Sequence, residues 1–153
     1  MIEHSEDHEG GCFCGNVRYR VRGQSVWAAG CCCRSCVKMH SAPYVVWAGF
    51  HRSAFELLRG NPVAFRSSPH VIRKFCGKCG TALTYEKDAA YEPKLEEAAS
   101  VVYISVPTLD EPEAYPPTEV VRAGERIKWL DLGCTIPLRE TLSPSAEHLQ
   151  AGR

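Results

Sequence analysis

The chain has 153 residues, enough for one domain with a substantial core. Lysine plus arginine equals aspartate plus glutamate, 18 against 18, so the formal net charge is zero. That balance, with basic residues scattered rather than run together, gives no electrostatic footprint for nucleic acid or for an anionic membrane surface. The opening MIEHSEDHEGG is acidic and polar, without the basic start and apolar centre of a signal peptide. The longest apolar stretch, residues 42–50 (APYVVWAGF), is far short of the roughly 20 residues that span a bilayer. The expected setting is cytoplasmic.

In chain order, residues 1–9 are expected to form a polar N-terminal tail. Val17 to Val21 alternates apolar and basic, the period of a half-buried strand. A short helical turn is expected after Cys33. Residues 43–47, 72–75, 82–85 and 101–106 are rich in β-branched and aromatic side chains and predict further strands. Residues 86–100 are polar and lie between two of these, which predicts an inserted surface loop, with a helix-prone patch over 93–99. Residues 140–153 are expected to form a polar C-terminal tail. Short strands with frequent Gly and Pro between them favour a mainly β fold built from antiparallel sheets, with a single domain over 10–139.

Seven of the nine cysteines fall into three tight groups: Cys12 with Cys14, then Cys31, Cys33 and Cys36, then Cys76 with Cys79. Thiolates at these spacings hold a soft metal, and zinc is the default. Disulfides are the weaker reading, because the cysteine total is odd and the paired residues are too close to serve as staples. Two pairs can close a tetrahedral four-sulfur site, and the remaining trio can hold a second metal with one position open. Closed sites are typically structural and three-ligand sites typically catalytic. In an extended segment, residues i and i+2 face the same way. Both sulfurs of a CxC would then meet one ion, and Cys32 would turn away from the ion shared by Cys31 and Cys33. The glycines of Cys76-Gly77-Lys78-Cys79-Gly80 permit a tight turn with amides aimed at the thiolates. Spacing leaves open whether Cys12 and Cys14 join Cys76 and Cys79 or join Cys33 and Cys36.

The ordered motifs GxCxCGxVRY (10–19), CxCxxC (31–36), RKFCxxCGTxL (73–83), TLDEP (108–112) and a late Trp129 resemble the glutathione-dependent formaldehyde-activating family, also called the CENP-V/GFA domain. The likeness covers residues 10 to 131, and several ordered motifs are far more specific than one CxxC. It implies an Mss4-like β-tent around two zinc sites. Cys12, Cys14, Cys76 and Cys79 would bind the structural zinc, and Cys31, Cys33 and Cys36 the catalytic one. It also implies a carbon–sulfur lyase-type reaction, the reversible condensation of formaldehyde with glutathione to S-hydroxymethylglutathione. The partners would be a small thiol and a small aldehyde. Three thiolates weaken zinc as a Lewis acid, which favours a thiol-positioning role for the metal. The contrasting expectation is a non-enzymatic zinc module that binds a protein partner. The chain departs from the family pattern at Cys32, where a histidine is usual, at residues 117–120, where a histidine is frequent, and in the longer 86–100 loop.

Other conspicuous residues take ordinary roles on this reading. Cys134 is a small buried thiol. His40, His51 and His70 lie at the surface or in hydrogen bonds, and His4 and His8 in the tail. Trp27, Trp47 and Trp129 are expected in the core, with the alternative that one of them lines the pocket near the open zinc. Arg34, Lys38 and Arg73 could contact a substrate carboxylate, with solvated surface charge as their default.

Overall fold

In the computed structural model, described for residues 6–88, 100–131, 133 and 139, ten strands form two sheets. The strands are β1 (Asp7–Gly11), β2 (Arg18–Arg22), β3 (Trp27–Cys31), β4 (Val45–His51) and β5 (Phe55–Arg59). They continue with β6 (Val63–Ser68), β7 (Val71–Phe75), β8 (Ala82–Lys87), β9 (Val101–Ser105) and β10 (Val120–Val121). One helix, α1 (Arg34–His40), follows β3. The small sheet runs β1-β2-β5 and the large one β10-β3-β4-β9-β8-β7-β6. Every pairing is antiparallel except β10 with β3.

The alternation in β2 works as expected: Tyr19 and Val21 are buried, while Arg18, Arg20 and Arg22 face outward. Those arginines explain β1, where the tail reading fails from Asp7 onward. Glu9 lies opposite Arg20, and Asp7 opposite Arg22. Arg20 Nη2 meets Glu9 Oε1 at 2.7 Å, and Arg22 Nε meets Asp7 Oδ2 at 3.6 Å. Acidic residues that look like a solvated tail are the cross-strand partners of a basic strand. His8 therefore belongs to a strand, edge-on to Tyr115 at 5.2 Å.

The two sheets close over a core that includes Tyr19, Val21, Phe50, Leu83, Val102 and Ile104. Strands β3 and β9 are buried along their whole length and so show no alternation. The TLDEP segment braces the small sheet. Tyr19 Oη lies 2.7 Å from Thr108 Oγ1, the Asp110 amide donates to the Glu9 carbonyl at 2.9 Å, and Asp110 accepts a fork from Arg18.

Two further expectations change. Trp129 is 73% exposed, not core. The loop expected over 86–100 loses its first residues to β8, where Glu86 and Lys87 are buried. The helix-prone patch over 93–99, Cys134 and the tail over 140–153 lie outside the described residues. Among the described residues no helix is long and apolar enough to cross a membrane.

Candidate metal centres and the adjoining cavity

The first cysteine cluster is built from two turns. Cys12 and Cys14 do not sit in an extended segment; the chain turns there, with the Gly15 amide donating to the Cys12 carbonyl at 3.0 Å. The second turn matches it, with the Gly80 amide donating to the Cys76 carbonyl at 2.8 Å. Gly15 and Gly80 have φ of 73° and 77°, a left-handed conformation that glycine adopts without strain. The sulfurs of Cys12, Cys14, Cys76 and Cys79 all lie within 4.8 Å of one another. Cys12 Sγ is 3.6 Å from Cys14 Sγ, which is 3.8 Å from Cys76 Sγ. A tetrahedral zinc with bonds near 2.3 Å separates its sulfurs by about 3.8 Å, so this donor set fits the ion.

Outer hydrogen bonds support the set. The Val17 amide donates to Cys12 Sγ at 3.2 Å and the Lys78 amide to Cys76 Sγ at 3.4 Å. Thr81 joins the turns: its Oγ1 accepts from the Phe13 amide at 3.1 Å and lies 3.2 Å from Cys79 Sγ. The Thr81 hydroxyl, with amides of Thr81 and Cys14, pulls the Cys79 thiol down to about 5. Such bonds favour the thiolate that a metal needs.

The second cluster is held by β3 and α1. Cys31 ends β3, and Cys33 caps α1 by accepting from the Cys36 amide at 3.4 Å. The Cys33 amide in turn donates to Cys31 Sγ at 3.4 Å. All three sulfurs lie within 4.8 Å and all three residues are buried. Cys32 points elsewhere, into a separate buried cluster with Val120 and Ala123. Hydrogen bonding with Cys33 and Cys36, and burial, drive the Cys31 thiol far above its ordinary value. Three such sulfurs cannot all ionise without a cation among them, which is the chemistry of a metal site.

Against this trio lies a cavity of about 630 Å³, a size suited to a small molecule. Trp27, Trp47, Tyr85 and Tyr103 are among its lining residues. Tyr103 meets Trp27 and Tyr85 edge-on at 5.9 and 5.8 Å. Trp27 is held by Glu119, whose Oε1 accepts from the indole Nε1 at 2.8 Å. Glu119, in the stretch 117–120, thus supports a cavity wall. His40 packs edge-on against Trp47 at 4.9 Å. Burial, aided by the charge of Arg73 and opposed by Cys33, pushes its imidazole down to about 4.

Arg34, Lys38, Arg73 and Arg122 line the cavity, and among the described residues no carboxylate does. Arg34 and Lys38 are exposed at its edge, as their default predicts. Arg73 is not solvated surface charge: it is only 6% exposed, and its guanidinium reaches Cys36 Sγ. The signal was available, because Arg73 follows Val71 at strand period in β7 and both are buried. His51 is exposed.

Residues 7–124 match the model of a family described as glutathione-dependent formaldehyde-activating enzyme. A solved structure of a Rhodobacter sphaeroides protein superposes with a TM-score of 0.52, covering 85% of this chain and 98% of that one. The two are 15% identical, so that likeness is one of fold. The family match begins with β1 and takes in both cysteine clusters. The chain belongs to the glutathione-dependent formaldehyde-activating enzyme family.

Proposed function

We propose that the protein is a carbon–sulfur lyase-type enzyme acting on a thiol adduct, with the reversible condensation of formaldehyde and glutathione as its leading reaction. In this reading Cys12, Cys14, Cys76 and Cys79 hold a structural zinc, and Cys31, Cys33 and Cys36 hold the catalytic one. One observation carries it: three buried sulfurs, a set that leaves a zinc one ligand short, lie against a cavity of about 630 Å³. Zinc bound there would supply the charge that lowers the pKa of a thiol.

The chain's own residues account for the rest. Trp27, Trp47, Tyr85 and Tyr103 are among the lining residues that keep water from the reacting sulfur. Arg34 and Lys38, exposed at the edge, suit the carboxylates of glutathione. The thiol sulfur bonds to the carbonyl carbon, and the thiol proton ends on the carbonyl oxygen. No redox partner is needed. A cytoplasmic, reducing setting suits the reading, because every ligand must stay a free thiol.

The uncatalysed condensation is quick, so the test measures exchange between free and adduct formaldehyde at equilibrium, with matched free glutathione. Zinc-loaded protein is expected to raise the exchange rate, and Cys33→Ser to abolish the gain while one zinc remains bound. No gain with glutathione or any other thiol removes the enzyme and leaves a binding module. A gain with other thiols alone keeps the chemistry and changes the substrate.

A further inference from the structure

We propose that Arg73 is a positioning residue that makes the three-sulfur centre selective for an anionic fourth ligand; this rests on reading that centre as a metal site open to the cavity. Arg73 is 6% exposed, and its Nη1 and Nη2 lie 3.8 and 4.0 Å from Cys36 Sγ. Its Nε donates to Ser67 Oγ at 3.1 Å, and its guanidinium carbon stands 4.9 Å from the centre of the Tyr85 ring. Arginine stays charged in proteins, and burying that charge is costly unless an anion faces it. Arg18, Arg52 and Arg66 form ion pairs with carboxylates. Arg73 faces sulfur.

The charge count gives the consequence. A divalent ion on three thiolates leaves one excess negative charge, which would repel an arriving thiolate. The guanidinium cancels it, so an anionic ligand meets a neutral centre. Its two N–H groups also draw electron density from Cys36, weakening that sulfur as a donor. Ser67 and Tyr85 fix the fork in this place, and a lysine has no such fork to be fixed.

Cobalt(II)-loaded protein tests this through ligand affinity. 2-Mercaptoethanol, a thiol without carboxylates, serves as the anionic ligand, and imidazole as the neutral one. Arg73→Gln is expected to weaken 2-mercaptoethanol binding by roughly tenfold or more, the scale of a lost charge-assisted contact, with imidazole changed less than about twofold. The sulfur-to-cobalt charge-transfer band is expected to move to lower energy, and Arg73→Lys to fall between the two proteins. Equal weakening of both ligands would mean a merely structural role and overturns the proposal, as does unchanged thiol binding. If Arg73→Gln does not fold, Ser67→Ala loosens the guanidinium instead: thiol-selective weakening supports the proposal and unchanged thiol affinity overturns it. If the cobalt-loaded natural protein binds neither ligand, the metal-site reading itself falls and takes this inference with it.

Discussion

Cys14 Sγ and Cys76 Sγ lie 3.8 Å apart although 62 positions separate them in the chain. The contact ties the turn before β2 in the small sheet to the turn after β7 in the large one. A metal here closes a long loop, so its binding energy becomes folding energy, on the order of 10–16 kcal/mol for structural zinc in small peptides. The trio spans only residues 31–36 and fixes nothing so distant. Cys76→Ser is therefore expected to give misfolded or insoluble protein, and Cys36→Ser a folded one short of one metal. Zinc content and thermal melting of both variants check this; equal collapse would remove the division of roles.

Thr81 belongs to both turns at once, through Phe13 and Cys79. Thr81→Val keeps its shape and deletes both contacts. The expected result is tenfold or more weaker zinc retention at the four-sulfur site, the usual scale for outer-shell loss. Competition with a chromophoric chelator measures it, and retention equal to the natural protein would deny Thr81 this role.

Cys32 is fully buried beside Val120 and Ala123, apart from the trio. Cys32→Ser and Cys32→His should both keep two zinc ions per chain. The larger histidine is expected to cost about 1–3 kcal/mol through overpacking. Metal analysis with denaturant unfolding separates the effects. A count reduced to one would make Cys32 a ligand.

The cysteine grouping was legible because ligand spacing is local, and strands such as β2 because one face is wet. The rest depended on contacts between distant segments. β3 carries Trp-Ala-Ala-Gly-Cys with no alternation, since both of its faces are buried. The acids of β1 gain meaning only opposite the arginines of β2. Turn geometry, not strand period, brings Cys12 and Cys14 together. Strand period put Arg73 on the same face of β7 as Val71, but its sulfur partner Cys36 lies 37 positions away in the chain, and only the fold brings the two together.

Glu86 supplies the clearest acid dependence. Burial raises its carboxyl, but Lys74, Arg52 and Thr84 outweigh that and hold it below the ordinary 4.5. Lys74 Nζ and Arg52 Nη1 each lie 2.9 Å from one of its oxygens. A depressed folded value gives stability that is complete above 4.5 and lost as pH falls toward and through the folded value. Glu86→Gln is expected to cost about 2 kcal/mol at neutral pH. The difference from the natural protein should shrink below pH 4.5. Denaturant unfolding of both zinc-loaded proteins across that range, with zinc content measured at every pH, tests it; a constant difference wherever the two hold equal zinc would contradict the ion-pair account.

The central claim is that one chain holds two zinc ions in unlike sites, one closed by protein and one open to the cavity. Crystals of zinc-loaded protein soaked with glutathione, measured on both sides of the zinc absorption edge, test it most directly. The account predicts one anomalous peak among Cys12, Cys14, Cys76 and Cys79, and a second among Cys31, Cys33 and Cys36 whose fourth ligand is the glutathione sulfur, reached from the cavity. A single peak, or a fourth ligand at the trio supplied by the protein itself, would contradict it.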